Sequence, residues 1–240
     1  MRIHSDRGAM TCSSFRIDAD GLVLTVTLGR GVRVTGTIVD SHGNPVPAAT
    51  IDVVEPPSVG PLVFICSRNP SPTRPWTTAD EHGRFALDHV TPGRYCVRVR
   101  HPALSERTLP AVSLEADGQA LDLGFVELQQ GAIFEGTCTV NGRPAGQIKV
   151  MIGPPNGYRP EVDSEGRPVT PMFSASAITD GDGTYRFLTR VPPGTYKIHA
   201  FKEAGGDDVF SRFQQMKETE RQLVVAPGQE QSVQNFNLSN

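Results

Sequence analysis

Hydrophobic and polar residues alternate along much of the chain, as they do in extended strands with one buried face. At the start of the pattern Val32, Val34 and Ile38 would share one face, and Arg33, Thr35 and Thr37 the other. A period of two is typical of half-buried β-strands, so we predict an all-β fold. The other predicted inward sets are Ala49, Ile51 and Val53; Tyr95, Val97 and Val99; Phe134, Cys138 and Val140; Ile148, Val150 and Ile152; Tyr185 and Phe187; and Tyr196 and Ile198.

Turn-forming residues separate these segments. They include residues 42–45, Asp117-Gly118, Asn141-Gly142 and Pro227-Gly228. About seven short strands per hundred residues, with turns between them, predict Greek-key β-sandwiches. The exception lies between Lys202 and Gln222, where Val209, Phe213 and Met216 have helical spacing and predict a short inserted helix.

The chain also resembles itself. Residues 32–54 align with 132–152, and residues 78–99 align with 179–200, at an offset of 99 to 101 residues. A steady offset with shared order predicts two homologous domains, residues 31–130 and 131–240. The shared positions pair Gly36 with Gly136, Thr37 with Thr137, Pro45 with Pro144, Asp80 with Asp180, Gly83 with Gly183, Phe85 with Tyr185 and Tyr95 with Tyr196.

Residues 1–30 resemble the end of the first domain. Residues 15–31 are similar to 112–131, and Leu22, Leu24, Val26 and Leu28 would form an inward face. A strand pair cannot bury such a face alone. We therefore interpret residues 1–30 as the last strands of a preceding repeat or an N-terminal extension, and expect the chain to be part of a larger protein.

Composition narrows the function classes. The 240 residues are 38% hydrophobic and 20% charged, and the net charge is −3, which gives no electrostatic basis for binding nucleic acid. No segment approaches the roughly 20 apolar residues of a membrane span. The cysteines, Cys12, Cys66, Cys96 and Cys138, form no CxxC pair, which argues against a zinc ribbon, and their disulfide state stays open.

The motifs in residues 36–54 and 78–99 resemble those of the carboxypeptidase regulatory-like domain family. They combine the pattern G-x-P-[VA]-x-x-A with D-x-x-G-x-[FY] followed by P-G-x-Y, and the second half repeats them with Gln147 at an alanine-like position. The resemblance implies a seven-stranded, prealbumin-like or immunoglobulin-like sandwich, similar to transthyretin. Family members act as supports, spacers or adhesive modules, and the fold does not specify chemistry.

The segment TDGDGTYRF, residues 179–187, allows three interpretations. A calcium-binding EF-hand loop with glycine at its sixth position would place Ile178 and Thr189 where carboxylates are needed. A tight turn between two strands explains these residues better. In such a turn Asp180 accepts hydrogen bonds, Gly183 supplies a positive φ, and Tyr185 enters the core. We therefore predict no metal site and no cofactor.

The third interpretation is an intradiol ring-cleaving dioxygenase, which shares the sandwich and a similar run. Its ferric ion requires two tyrosines and a closely spaced histidine pair. Tyr196 stands where one ligand would be, yet only His199 follows, and the first repeat offers Tyr95 with His101 alone. Without paired imidazoles we predict core tyrosines rather than an iron site.

Other chemistry finds little support. There is no G-x-S-x-G or H-E-x-x-H motif. Some surface domains join a lysine to an asparagine, but the only lysines are Lys149, Lys197, Lys202 and Lys217, so the first domain is excluded and the second is a weak candidate. We expect no enzyme activity.

Two Pro-rich inserts, residues 55–76 and 153–173, are the candidate recognition loops, because long loops in compact domains are often functional. They carry Phe64, Trp76, Tyr158 and Phe173, which could contact a protein or stack on sugars, or fold back over the sheet edges. We expect a structural spacer or interaction segment of an extracytoplasmic bacterial protein, whose partners are neighbouring repeats, another protein or a glycan. The alternative is a carbohydrate-binding module.

Overall fold

The computed structural model of the protein describes residues 29–56, 76–164, 169, 172–202 and 209–238. Contacts divide the chain into two compact units. Of the described residues, unit 1 contains 29–99, 108–127, 161–164 and 169, and unit 2 contains the others. The proposed N-terminal strand set, Phe64, Cys12 and Cys66 lie outside the described residues.

The described residues of the first half form eight strands. Three of them pair in the order β4-β1-β8, and the others pair in the order β3-β2-β5-β6, with β7 also on β5. The strands are β1 (Val32–Asp40), β2 (Thr50–Val54), β3 (Trp76–Thr78), β4 (Arg84–Val90), β5 (Gly93–His101), β6 (Leu104–Thr108), β7 (Val112–Leu114) and β8 (Ala120–Leu128).

The described residues of the second half form nine strands and one helix. The strands are β9 (Ile133–Val140), β10 (Arg143–Pro144), β11 (Ile148–Gly153), β12 (Ala175–Ile178), β13 (Thr184–Arg186), β14 (Gly194–Lys202), β15 (Arg221–Val225), β16 (Gln231–Val233) and β17 (Phe236–Leu238), with helix α1 (Val209–Thr219) before β15. One sheet is β12-β11-β14-β15; in the other, β9 pairs with β10, β13, β16 and β17. The predicted all-β fold and the short helix are both confirmed.

Strand alternation places the cores as the sequence predicts. Of the residues assigned to inward faces, all those that the structure describes are buried except Tyr95 and Val140, which are half-buried. In unit 2 the inward side chains of β9, β11, β13 and β14 form one cluster with Phe236 and Leu238. Burying these apolar side chains between two sheets supplies the main favourable free energy of this unit.

Pairing in the two halves follows the same register at corresponding positions. Gly93 of β5 lies opposite Leu114 of β7, and Gly194 of β14 lies opposite Val225 of β15. The closing strands differ in length: β8 is continuous over nine residues, while β16 and β17 are separate strands that both run parallel to β9. The break at residues 234–235 and the two-residue strand β10 together account for the nine strands of the second half.

Helix α1 stands beside β14 at the position that β6 occupies beside β5. Strand β15 pairs with β14 only as far as Ile198, so the backbone of Ala200 and Lys202 needs other partners. The Thr219 hydroxyl accepts from the amide of Ala200 at 2.9 Å, and the Gln215 side-chain oxygen accepts from that of Lys202 at 2.9 Å. Two polar side chains of the helix therefore replace part of a strand.

The outward side chains of β5 in unit 1 contact charged side chains and the backbone of a distant segment. Arg98 makes a two-pronged ion pair with Asp52 of β2, at 3.0 and 2.5 Å. Arg94 lies 2.9 Å from the carboxylate of Asp163, and the thiol of Cys96 lies 3.9 Å from the carbonyl oxygen of Val169. A segment far along the sequence thus packs within unit 1.

Candidate functional site

The turn at residues 180–184 uses its first carboxylate to hold its own backbone. One oxygen of Asp180 accepts from the amides of Asp182 and Thr184, at 3.1 and 2.9 Å, and the other accepts from the Thr184 hydroxyl at 2.7 Å. Gly183 has φ +76°, and Tyr185 enters the core. The predicted turn is confirmed.

The same arrangement occurs at two turns of unit 1. Asp80 accepts from the amides of His82 and Arg84 at 2.9 and 2.8 Å. Asp40 accepts from those of His42 and Asn44 at 2.8 and 2.9 Å. All three aspartates therefore act as turn-stabilising acceptors.

Hydrogen bonds favour the ionised form of two of these carboxyls. The pKa of Asp180 is lowered, first by the Thr184 side chain and then by its backbone amide. That of Asp40 is lowered, first by the Asn44 side chain. A cation at Asp180 would compete with three donors already in place. No group of three or more metal-ligating side chains occurs among the residues that the structure describes.

Close backbone approach explains the glycines of these turns. A Cβ on Gly83 would lie 2.3 Å from the carbonyl oxygen of Ile38, and one on Gly183 would lie 2.5 Å from that of Cys138. Those same carbonyls accept from the amides of Val46 and Ala145. The glycine lets three segments of the sheet meet at one point.

Tyr196 is part of the core of unit 2. Its ring packs edge-to-face on Phe173, with centroids 5.8 Å apart, and would contact any Cβ at Gly194. Burial raises the pKa of its hydroxyl to about 12. His199 lies three residues further along β14, so strand alternation directs its side chain to the opposite face. These two residues cannot ligate one ion.

The predicted recognition aromatics are in different environments. Trp76 on β3 is 67% exposed, and Tyr158 is 42% exposed. Phe173 is partly buried against the core of unit 2. Trp76 pairs with Asp52, so it lies on the outward face that also carries Arg98. Trp76 therefore lies near charged groups, and Phe173 contributes to a core.

The two described cysteines are free and buried. Burial raises the pKa of the Cys96 thiol to about 11, and that of the Cys138 thiol likewise to about 11. Such thiols are mostly protonated at neutral pH and react slowly.

A cluster that the sequence did not reveal lies on the outward face of β14. The Lys197 ammonium donates to the Asn156 side-chain oxygen at 3.2 Å and lies 3.7 Å from Glu220 Oε2. The Asn156 amide nitrogen donates to Glu220 Oε1. The Lys197 and Glu220 side chains each retain 30% of their exposure. Only the strand register brings these three residues together, so sequence patterns gave no signal for them.

Part of the first half of the chain is similar to a known protein family. Residues 33–127 match the family model of the carboxypeptidase regulatory-like domain. Over these residues the chain is similar to that family. The matched residues run from β1 to β8 and include the turns at Asp40 and Asp80. No curated protein matches the chain.

Solved structures are similar only at a distance. The Bacillus anthracis TIE protein is 12% identical, with a TM-score of 0.30. The match covers 89% of this chain and 34% of that protein's chain. The minor pilin of Streptococcus agalactiae is 10% identical (TM-score 0.33), with 87% of this chain and 95% of that one covered. Catechol 1,2-dioxygenase from Pseudomonas arvilla C-1 is 13% identical (TM-score 0.31), with 44% and 54% covered.

Among the described residues, no helix combines the length and apolar character needed to cross a membrane.

Proposed function

We propose that the chain is a non-catalytic tandem β-sandwich segment that serves as a structural spacer or protein-interaction module of a larger, extracytoplasmic bacterial protein. In this proposal residues 31–130 and 131–240 are successive copies of the regulatory-like domain. Residues 1–30 are the end of a preceding copy or an extension. Its partners are adjacent copies or another protein.

The observation that carries the proposal is the use of the turn aspartates. Asp180 is the residue that a metal-dependent function would need, and its oxygens bind Asp182 and Thr184 of their own turn. The corresponding Asp80 binds its own turn as well. The residues at the most chemically suggestive motif therefore stabilise strand connections.

Two further features support successive copies. The turns at Gly83 and Gly183 bring equivalent carbonyls, Ile38 and Cys138, against the glycine. Ala48 and Gln147 also share a positive φ, 58° and 60°, just before β2 and β11. A backbone conformation that side chains rarely adopt is an informative point of correspondence.

Cation titration tests the non-catalytic part of the proposal. Calcium, zinc and ferric ions, each added to the metal-free protein, are expected to leave the thermal midpoint unchanged, because Asp180 already accepts from three donors of its own turn. Asp180→Asn is the matched variant. A midpoint that rises with one cation and no longer rises in Asp180→Asn would show a metal site and refute the proposal.

Localisation tests the extracytoplasmic part. Antibodies against residues 31–240 should detect the parent protein in the surface or periplasmic fraction of intact cells, where added protease degrades it. Detection only after lysis, in the cytoplasmic fraction, would contradict this assignment.

Trp76 supports the alternative, a carbohydrate-binding module. It is 67% exposed on a strand beside the Asp52–Arg98 pair, and sugar sites combine an aromatic platform with charged hydrogen-bonding groups. A glycan array should then show binding that Trp76→Ala abolishes. Phe125→Ala is the control, because Phe125 is 80% exposed on β8. Equal binding by Trp76→Ala, or none by the native protein, excludes this alternative.

A further inference from the structure

Lys197, Asn156 and Glu220 have the arrangement needed for an amide exchange. The lysine nitrogen donates to the asparagine side-chain oxygen at 3.2 Å, which places Nζ beside the carboxamide whose carbon it would attack. One carboxylate spans the two nitrogens that would exchange: Oε1 accepts from the amide of Asn156, and Oε2 lies 3.7 Å from Lys197 Nζ. We propose that Lys197 and Asn156 form an intramolecular isopeptide bond, with Glu220 transferring the protons.

Three neighbouring elements hold these side chains in place. Lys197 lies in the middle of β14, paired with Gly153 of β11 on one side and with Gln222 of β15 on the other. Glu220 directly precedes β15, and Asn156 follows β11. All three therefore depend on the register of one sheet, and sites built on strands are held more precisely than sites on loops.

The turn that carries Asn156 is itself constrained. The amide of Tyr158 donates to the carbonyl of Pro155 at 3.2 Å, and Gly157 has φ +76°. Glycine with positive φ at the third position is typical of a type II turn. The preceding Pro154 and Pro155 restrict the backbone further. Little conformational entropy remains to be lost when Asn156 meets Lys197.

The reaction balances without any other reagent. Glu220 takes a proton from the Lys197 ammonium, and the free amine attacks Cγ of Asn156. The new Nζ–Cγ bond forms, the Cγ–Nδ2 bond breaks, and Glu220 delivers the protons to the departing nitrogen. The side-chain ammonium and amide become a secondary amide and an ammonium ion. Glu220 ends in its starting ionisation state, and no oxidation occurs.

Unit 1 provides an internal contrast. By the shared register, Cys96 of β5 occupies the position of Lys197, since Gly93 and Gly194 begin the two strands. That thiol is free and lies next to Val169. The cross-link is therefore specific to unit 2.

Mass spectrometry tests the proposal directly. The intact, denatured protein should be lighter than Lys197→Arg, after correction for the substitution, by one ammonia molecule. Proteolysis should yield a branched peptide that joins position 156 to position 197. A full-mass protein that gives only linear peptides from both regions, also after prolonged incubation at mildly alkaline pH, would overturn the proposal.

Asn156 precedes Gly157, and such pairs can also lose ammonia by closing a succinimide on the following backbone nitrogen. The two products are distinguishable, because the succinimide reopens in mild alkali and persists in Lys197→Arg. Ammonia loss that persists in that variant counts against the cross-link.

Variants define the roles of the three residues. Lys197→Arg and Asn156→Ala should retain full mass, because each removes a reacting atom. Glu220→Gln should slow formation at least tenfold while keeping the size of the side chain. Lys149→Arg, on the adjacent strand β11, should cross-link as the native protein does. Unchanged cross-linking in Glu220→Gln would refute the role of the carboxylate.

Discussion

At the residue scale, Gly183 occupies a position that no side chain fits. A Cβ there would lie 2.5 Å from the carbonyl oxygen of Cys138 and 2.9 Å from the amide nitrogen of Ala145, and φ is +76°. Gly183→Ala is therefore expected to destabilise unit 2 by about 1–3 kcal/mol. Urea unfolding, followed through NMR signals of unit 2, measures the loss.

Gly181 supplies the matched control. It lies two residues earlier in the same turn, and a Cβ on it would meet no atom within 4 Å. Gly181→Ala should change the free energy of unfolding by less than about 0.5 kcal/mol. Equal effects at the two positions would show that turn flexibility, rather than close approach, explains the glycine at 183.

The carboxyl of Asp180 allows a second test in the same turn. Its lowered pKa comes first from the Thr184 side chain, so Thr184→Val should raise this pKa, while Thr184→Ser should leave it low. Carbon-detected NMR titration of the carboxyl measures it. Because the folded-state pKa is depressed, the stabilisation is present above the unfolded-state pKa and is lost as pH falls through the folded value. A pKa unaffected by Thr184→Val would refute the assignment.

These turns could be predicted because their information is local. Asp180, Gly183 and Tyr185 lie within six residues, and each residue type meets one requirement of the turn. These requirements are a hydrogen-bond acceptor, a positive φ and a side chain for the core. The reason for glycine was only partly foreseen. Its contact with Cys138 depends on β9, which is distant in sequence.

At the element scale, β14 is covered on both faces, and His199 is the polar residue enclosed there. It is 5% exposed, and neither ring nitrogen has a hydrogen-bond partner among the described residues. Burial is the main cause that lowers its pKa to about 4; Lys197 lowers it further and Glu220 opposes this. The folded state therefore favours the neutral ring.

Stability should consequently depend on pH. The unfolded histidine takes up its proton near pH 6.5, whereas the folded one does so only near pH 4. The contribution of His199 is thus fully present above pH 6.5 and decreases as pH falls to about 4. His199→Leu should flatten the decline measured by urea unfolding of unit 2 across this range. His82→Gln, at an exposed turn of unit 1, should not. A native slope in His199→Leu would contradict the prediction.

The strands of this element could be read from the sequence, but the role of α1 could not. Alternation at Tyr196 and Ile198 identifies the inward face without any knowledge of partners. Thr219 accepts from Ala200 and Gln215 accepts from Lys202, over separations of 19 and 13 residues. Hydrophobic periodicity describes single elements and does not predict such contacts between two elements. The Lys197, Asn156 and Glu220 cluster escaped prediction for the same reason.

At the scale of the whole molecule, unit 1 is built from segments that are not continuous in the sequence. Residues 161–164 and 169 belong to it, although they lie between β11 and β12 in the chain. They meet β5 through the Arg94–Asp163 ion pair, and they meet the chain before β7 through the amide of Ala111, which donates to Val169 at 2.6 Å. A division of the chain at residue 130 alone would omit these contacts.

Cys96 reports whether this segment stays in place, because its thiol is fully buried and lies 3.9 Å from Val169. Asp163→Ala leaves Arg94 without one charged partner, a loss of about 1.5–3 kcal/mol for a hydrogen bond to a charged group. Local opening should then be at least about tenfold more frequent, since 1.4 kcal/mol corresponds to tenfold. Alkylation of Cys96 under native conditions, mapped by mass spectrometry, should accelerate by the same factor.

Internal and external controls separate local opening from general destabilisation. Cys138, in the core of unit 2, should react at its native rate in Asp163→Ala. Glu161→Ala removes an exposed carboxylate from the same segment and should leave Cys96 slow. A chain ending at residue 130 lacks the segment, so its Cys96 should react faster still. If Cys96 reacts equally slowly in all three variants, the segment does not protect β5, and unit 1 is complete without it.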